Sequence, residues 1–227
     1  MAILAFKLNE KLYLRDPQHT QLGHNIISNS VEMIDNLGFE HFTFKKLAEA
    51  IDSTEASVYR YFENKHRLLH YLVAWYWNWL DYRIELATTN LGHPREKLLA
   101  AIRVITEEKK ADPSFEFVNE EALHRIVVAE LDKTYLTKWV DDDNSAGLFG
   151  AFKTISKKIG ALIHLLNPAY PYPNSLASTI VMVANQQLFF IEHLPSLSNI
   201  TKKDPLSMRH EKLRIFIETL VLSAIQK

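Results

Sequence analysis

The stretch FTFKKLAEAIDSTEASVYRYFENKHRLL, residues 42–69, decides the fold, because it encodes two very short helices separated by a tight corner. Thr43 is a good N-cap for the first helix, and Thr54 is a good N-cap for the second. Between them, Asp52 tolerates the left-handed backbone of a sharp turn better than most residues do. Helices shorter than about 12 residues are marginal alone and depend on their neighbours. A short helix braced across another predicts a helix-turn-helix, a motif that presents a surface to a groove.

The rest of the chain predicts an all-α protein. Of its 227 residues, 47% are apolar and 23% are charged, and glycine and proline are scarce. Apolar residues recur at spacings of three and four almost everywhere, as in amphipathic helices. The pattern predicts a first helix from about Gln18 to Leu37, stopped by Gly38, a long helix from about Lys65 to Thr88, and a final helix from Leu206 to about Ile225.

Composition excludes several classes of protein. The chain contains no cysteine, which rules out disulfides, thiolate metal sites and cysteine nucleophiles. The N-terminal MAILAFKLNEKL lacks the basic segment and cleavage site of a signal peptide. No run approaches the roughly 18 apolar residues that a spanning helix needs. We therefore expect a soluble, cytoplasmic protein without a membrane partner.

The helix-turn-helix resembles the N-terminal domain of the TetR family of transcriptional regulators. The resemblance covers about Ile26 to Leu72 and includes GFEHFTFKKLAEAI followed by STEASVYRYFENKHRLL. The signature positions are Gly38, Phe44, Leu47, Ala48, Tyr59, Phe62, Lys65 and Leu68. The resemblance implies a DNA-binding domain at residues 1–64, and a larger helical domain for effector binding and dimerisation at residues 65–227.

The same resemblance implies which residues contact DNA. The residues matched to contacts with the DNA backbone are Thr43, Lys45, Tyr59, Tyr61 and Lys65. Those matched to contacts with the bases are Thr54, Glu55, Ala56, Ser57 and Arg60. The chemistry is suitable, because lysine and tyrosine donate to phosphate, arginine reads guanine through two hydrogen bonds, and alanine can touch a thymine methyl group.

The net charge of the N-terminal segment favours a protein that does not bind DNA. Residues 1–72 contain eight lysines and arginines against nine aspartates and glutamates, a net charge of −1. DNA-binding domains normally carry a basic face that neutralises phosphates. Clustering of Lys45, Lys46, Arg60, Lys65 and Arg67 on one face would supply such a surface. The alternative is an ordinary solvated face on a protein that has lost DNA recognition.

The long helix is rich in aromatic residues, with YLVAWYWNWLDYR at residues 71–83. Trp75 and Trp79 lie on one face and Trp77 points nearly opposite. A helix that is apolar all round is usually buried on several sides, which favours a core role. The functional interpretation is that Trp75 and Trp79 line the pocket of an apolar or amphipathic effector. Both interpretations remain open.

Two later segments carry heptad patterns. The first runs Leu148, Phe152, Ile155, Ile159, Leu162, Leu166, and the second runs Leu176, Ile180, Val183, Gln187, Phe190, Leu194. Such seams pack either inside one subunit or against a twofold copy in a four-helix bundle. We predict a homodimer interface formed by Phe152, Ile155, Ile159, Leu162, Ile180, Val183, Gln187 and Phe190.

No catalytic or metal-binding pattern stands out. His66 and His70 have a zinc-compatible spacing on a helix, but they lack the glutamate of a zincin and a third ligand. The acidic loop DDDNSAG, residues 141–147, has Phe152 where a calcium loop needs a bidentate glutamate. We therefore predict no enzyme, no metal and no cofactor.

These observations predict a ligand-responsive, DNA-binding transcriptional regulator that binds a palindromic operator as a dimer. A repressor role follows from the resemblance alone. The alternative is a TetR-like helical lipid- or isoprenoid-binding accessory protein without DNA binding.

Overall fold

Helices form the regular structure of the chain. The computed structural model describes residues 5–112, 114–115 and 117–226, and within these ranges it contains no strand. The helices are α1 (Gln21–Leu37), α2 (Phe44–Ala50), α3 (Glu55–Tyr59), α4 (Lys65–Thr88), α5 (Pro94–Thr106), α6 (Glu120–Glu130), α7 (Asp132–Tyr135), α8 (Val140–Ser145), α9 (Gly150–Leu166), α10 (Pro173–His193) and α11 (Leu206–Ile225). The predicted all-α class is confirmed.

The ends of α1 follow from local chemistry. The side chain of Thr20 accepts a hydrogen bond from the Gly23 N–H and caps the helix. Gly38 ends it with a φ of 76°, a conformation that glycine adopts without strain. The predicted start at Gln18 is wrong by three residues, because Pro17–His19 form a separate 3-10 turn.

The corner between α2 and α3 matches its prediction closely. Thr43 accepts a hydrogen bond from the Lys46 N–H at 3.2 Å. Thr54 caps α3 in the same way through the Ser57 N–H, also at 3.2 Å. Between them, Asp52 has a φ of 49°, the left-handed conformation that the sharp turn requires. The two caps and the strained aspartate fix where each short helix begins.

The chain divides into two compact units. The first comprises the described part of residues 5–78 and 109–150, and the second comprises residues 79–108 and 151–226. Helix α4 contributes residues to both units. The boundary that we predict at residue 64 separates two functions, and it stays a prediction.

The first unit packs α1 against α6 and α2 against α3. Its core includes aromatic residues of α4, among them Tyr71, Trp75 and Tyr76, each at most 1% exposed. Trp75 makes edge-to-face contacts with Phe6 and Phe115, with ring centres 5.3 and 5.2 Å apart. Edge-to-face pairs of this kind add to the free energy gained from burial. Trp75 is therefore a core residue of this unit.

The second unit packs α11 against α5 and α10. Helix α9 approaches the start of α10 at Gly160, where an added Cβ atom would lie 2.6 Å from the Asn174 side-chain oxygen. Ile155, Ile159 and Ile180 are completely buried within the chain itself. Their assignment to a dimer interface is therefore corrected, because a residue buried in its own subunit has no surface left for a partner. The other predicted seam residues, Phe152, Leu162, Val183, Gln187 and Phe190, retain partial exposure.

Candidate nucleic-acid interface

The helix-turn-helix exposes most of the residues that we predict to contact DNA. These exposed residues are Thr43, Lys45, Thr54, Glu55, Ala56, Tyr59 and Arg60. They come from the first turn of α2 and the whole length of α3, including its caps. A short helix with this much free surface matches what a major-groove reader requires.

Buried residues hold α3 in place from below. Val58 and Phe62 are fully buried, and they anchor the helix on its inner side. Tyr59, although 48% exposed, packs edge-on against the Phe44 ring with 5.0 Å between ring centres. This contact joins α3 to the start of α2. The orientation of the exposed side chains is thus set by packing rather than by the intrinsic stability of a five-residue helix.

Arg60 is held in a defined direction by its own helix. Its Nη2 donates a hydrogen bond to the Ser57 Oγ at 2.8 Å, and that oxygen also lies 3.0 Å from the Thr54 Oγ1. Ser57 is itself buried, with 8% exposure. The predicted base contact of Ser57 is therefore corrected. Ser57 instead orients the arginine, whose guanidinium has donors left for a base edge.

Tyr61 requires a second correction. It is 1% exposed, and its hydroxyl lies 2.8 Å from the Thr20 Oγ1 at the start of α1. The Arg15 guanidinium covers its ring, 5.3 Å from the ring centre. A side chain covered in this way does not reach a phosphate. The burial of Tyr61 could not be predicted from local sequence, because the residues that cover it lie more than 40 positions earlier.

Lys65, which we predict to contact the DNA backbone, also stabilises the fold. Its Nζ donates to the carbonyl oxygens of Phe39, Glu40 and Phe42 at 3.1, 3.2 and 3.2 Å. An ammonium group has three protons, so these three bonds use its full donor capacity. A phosphate contact by Lys65 would require it to share or release one of them, and this contact stays a prediction.

The acidic residues near the helix-turn-helix are partly neutralised by more distant residues. Arg125 forms two hydrogen bonds with the Asp35 carboxylate, at 2.9 and 2.7 Å. Lys133 lies 2.7 Å from the Glu40 carboxylate, and the hydrogen bond from Lys133 lowers the pKa of Glu40. These pairs neutralise Asp35 and Glu40 locally, whereas residues 109–150 of the same compact unit carry nine aspartates and glutamates against five lysines and arginines, so the unit as a whole is acidic.

The candidate metal ligands do not form a site. Within the described residues, no group of three or more histidine, aspartate or glutamate side chains is placed to hold a metal ion. His66 packs edge-on against Phe39. His70 is buried, 3.7 Å from the Asp143 carboxylate, which also accepts from Arg67 at 2.9 Å. Asp143, from the acidic loop considered for calcium, thus belongs to an ion-pair cluster.

An open groove of about 670 Å³ lies beside α1 in the first unit. Helix α1 and helix α6 form two of its walls, and the segment after α5 forms the third. Its lining residues are Ser28, Glu32, Asp35, Ala111, Asp112, Phe115, Phe117, Val118, Asn119, Ala122 and Arg125. Neither Trp75 nor Trp79 lines it. Trp75 packs against Phe115, which lines the groove, and Phe115 separates it from the groove.

A family model describing bacterial regulatory proteins of the tetR family matches residues 26–72. This range spans α1 to the first turns of α4 and contains the exposed face of α3. Over these residues the chain is similar to the tetR family. A search of curated proteins finds no match to the sequence. Within the described part of the chain, no helix is long and apolar enough to span a membrane.

Solved structures share the fold over most of the chain. A bacterial regulatory protein in the tetR family from Rhodococcus RHA1 is 14% identical, with a TM-score of 0.60, covering 91% of this chain and 96% of that one. AibR in complex with isovaleryl coenzyme A and operator DNA is also 14% identical, with a TM-score of 0.58 and coverage of 86% and 95%. The superantigen PfiT is 15% identical, with a TM-score of 0.56 and coverage of 92% and 97%. At such identities, likeness establishes the tetR-like fold and leaves function to the site.

Proposed function

We propose that this tetR-family chain is a DNA-binding transcriptional regulator that binds a palindromic operator as a homodimer and responds to a small effector. The observation that carries the proposal is the outer face of α3, where Ala56, Tyr59 and Arg60 are exposed to solvent. Lys45 at the start of α2 adds an exposed cation beside it. Arg60 supplies the base-reading group, and Lys45 supplies charge to phosphate.

A dimer interface is best supported by the second compact unit. Helix α11 leaves a row of large apolar side chains exposed, with Ile215 at 49%, Phe216 at 44% and Leu220 at 38%. The partly exposed Val183 and Phe190 lie on α10, the helix against which α11 packs. Contiguous apolar surface of this kind typically marks a protein interface. The two copies would bring two α3 helices to successive half-sites of an operator.

The groove beside α1 is the proposed effector site. Its volume falls in the range of small-molecule sites, and it combines aromatic side chains with carboxylates. Asp35 is neutralised by Arg125, whereas Glu32 is an exposed carboxylate. An amphipathic effector with a cationic end fits this lining. Because α1 and α6 both line the groove and pack against each other, an occupant that moves one relative to the other would shift the helix-turn-helix and change operator affinity.

Selection of bound fragments from sheared genomic DNA tests the proposal. The purified protein is compared at two salt concentrations with the Arg60→Ala and Lys45→Ala variants. We expect recovery of a palindromic site, lost in Arg60→Ala and weakened steeply by salt. Both side chains are exposed, so neither variant is expected to disturb folding. Lys65→Ala is unsuitable for this purpose, because Lys65 also holds three carbonyl groups.

The alternative function is a helical lipid- or isoprenoid-binding accessory protein without DNA binding. Glu55 favours it, because this exposed carboxylate stands in the first turn of α3 where it would face the DNA. The burial of Trp75 and Trp79 at 0% and 1% weighs against it, because neither ring is open to a ligand. Absence of enrichment at low salt, together with a hydrophobic molecule that copurifies with the protein, would favour this alternative.

A further inference from the structure

The residues before α1 form a strap across the first compact unit. We define this N-terminal strap as residues 6–19. Its two ends are joined by Gln18, whose amide nitrogen donates to the Phe6 carbonyl at 2.8 Å and whose amide oxygen accepts from the Phe6 N–H at 3.2 Å. Phe6 stacks on Phe115 with 5.1 Å between ring centres. This end of the strap is anchored in the aromatic core.

The part of the strap between these joined ends is fixed to the helix-turn-helix. The Leu14 N–H donates to the Tyr61 carbonyl at 2.8 Å, two residues after α3 ends. Pro17 lies directly against α1 at Gly23, where an added Cβ atom would come within 2.1 Å of the Pro17 carbonyl oxygen. Only glycine accommodates this approach. The strap therefore has a fixed position at the C-terminal end of α3.

This arrangement brings the charged residue Arg15 next to the helix-turn-helix. Its guanidinium lies 5.3 Å from the Tyr61 ring centre, a cation–π distance, and the residue is exposed. Among the residues that the structure describes, Arg15 has no carboxylate within ion-pair distance. The adjacent Asp16 is turned away, since its carboxylate accepts from the Gln18 N–H at 2.9 Å and lies 3.3 Å from His19.

We propose that Arg15 is a phosphate-contacting residue of the DNA interface, taking the place that Tyr61 would otherwise occupy. The proposal rests on the proposed DNA-binding function. Tyr61 is covered, and the guanidinium that covers it is the exposed donor group at that point of the surface. Guanidinium binds phosphate through two parallel hydrogen bonds, and stacking on an aromatic ring pre-orients its plane. A strap residue thus adds a second exposed cation, beside Arg60, at this end of α3.

The test compares Arg15→Ala, Arg15→Gln and Lys7→Ala in binding the selected operator fragment over a series of salt concentrations. Lys7 is an exposed lysine of the same strap that follows Phe6 and makes no contact with Tyr61 among the described ring contacts, so its removal matches the change in charge. We expect Arg15→Ala and Arg15→Gln to bind roughly tenfold more weakly per protomer. The slope of log affinity against log salt should become shallower by about one per protomer. Lys7→Ala should keep the wild-type slope.

Each outcome has a distinct meaning. Wild-type affinity and slope in both Arg15 variants would overturn the proposal while leaving the regulator intact. Weaker binding with an unchanged slope would also overturn it, because Arg15 would then act only by holding Tyr61. Arg15→Gln serves where Arg15→Ala loosens the strap, since glutamine keeps most of the side-chain stem without the charge. No DNA binding by the wild-type protein at low salt would reject the proposed function itself.

Discussion

The ammonium group of Lys65 lies 4.7 Å from the centre of the Phe39 ring and donates to the Phe39 carbonyl oxygen at 3.1 Å. Lys65 is the first residue of α4, and Phe39 follows directly after the glycine that ends α1. One side chain therefore ties the start of α4 to the loop before α2. A residue that the sequence assigns to DNA contact proves to be a structural clamp as well.

We predict that Lys65→Ala lowers the free energy of unfolding by about 1–2 kcal/mol, because three carbonyl oxygens lose a charged donor and regain water only in part. Urea unfolding followed by circular dichroism measures the change. Lys45→Ala is the matched control, since Lys45 is an exposed lysine of the same surface. Its stability should stay within about 0.5 kcal/mol of the wild type. Equal stability of the two variants would mean that the clamp contributes nothing.

A second prediction concerns the tyrosine pair around the end of α3. Tyr61→Phe removes the hydroxyl that lies 2.8 Å from Thr20 and should lower the free energy of unfolding by about 1 kcal/mol. The salt dependence of operator binding should not change, because the Tyr61 ring is covered. Tyr59→Phe is the counterpart, since Tyr59 is 48% exposed. Tyr59→Phe should weaken operator binding and leave the free energy of unfolding unchanged. Weaker operator binding by Tyr61→Phe, with wild-type binding by Tyr59→Phe, would place Tyr61 in the DNA interface instead.

The apolar surface of α11 predicts how the dimer is disrupted. Phe216→Glu places a charge on a side chain that is 44% exposed, where the folded subunit tolerates it but a buried apolar interface does not. We expect the molecular mass measured by light scattering at micromolar concentration to fall from that of a dimer to that of a monomer.

Leu86→Glu is the control for this prediction, because Leu86 is a 58% exposed leucine on α4, a helix that contributes no residue to the predicted interface. It should leave the dimer intact. A wild-type protein that is already monomeric would reject the interface, and so would a Phe216→Glu variant that remains dimeric.

Buried His70 predicts a loss of stability in mild acid. Burial is the main cause that lowers the pKa of His70 below its ordinary value of 6.5, with Arg67 and His66 acting in the same direction and Asp143 opposing them. As the pH falls from 6.5, the unfolded chain binds a proton that the folded chain resists. The free energy of unfolding should therefore fall, by at most about 1.4 kcal/mol per pH unit from this group, down to the lower folded pKa.

Urea unfolding at pH 7.5, 6.5 and 5.5 checks this sign, with the pH values chosen at about one-unit steps around the ordinary histidine pKa. His70→Gln should lose less stability than the wild type over this range. His164→Gln, which changes an exposed histidine on α9, should follow the wild type. Identical pH dependence of the wild type and His70→Gln would show that the buried imidazole is not the group responsible.

The local features of the helix-turn-helix could be predicted from its residues. Thr43 and Thr54 cap α2 and α3, and Asp52 takes the left-handed conformation between them. Gly38 ends α1 for a similar reason. Each of these features depends on a hydrogen bond or a backbone angle within a few residues, and such short-range chemistry is legible in sequence. The same is true of the apolar periodicity that identifies the fold as all-α.

The seam and the tryptophans show where sequence periodicity stops being informative. A heptad pattern marks one face of a helix as apolar without saying which surface covers it. The structure buries Ile155, Ile159 and Ile180 inside their own subunit and leaves α11 with an exposed apolar face instead. Trp75 is likewise a core ring behind the groove, because Phe6 and Phe115 reach it from distant parts of the chain.

The sequence by itself determined the all-α class, the helix-turn-helix, its caps and the similarity of residues 26–72 to the tetR family, because these rest on contacts between residues close along the chain. Only the tertiary structure decided which side chains remain free to act. The Arg15 guanidinium covers the Tyr61 ring. The Ser57 hydroxyl accepts a hydrogen bond that orients Arg60. Arg125 neutralises Asp35, which lies 90 positions earlier in the chain. Exposure and charge pairing depend on what the folded chain brings together, and no local pattern of residues encodes that.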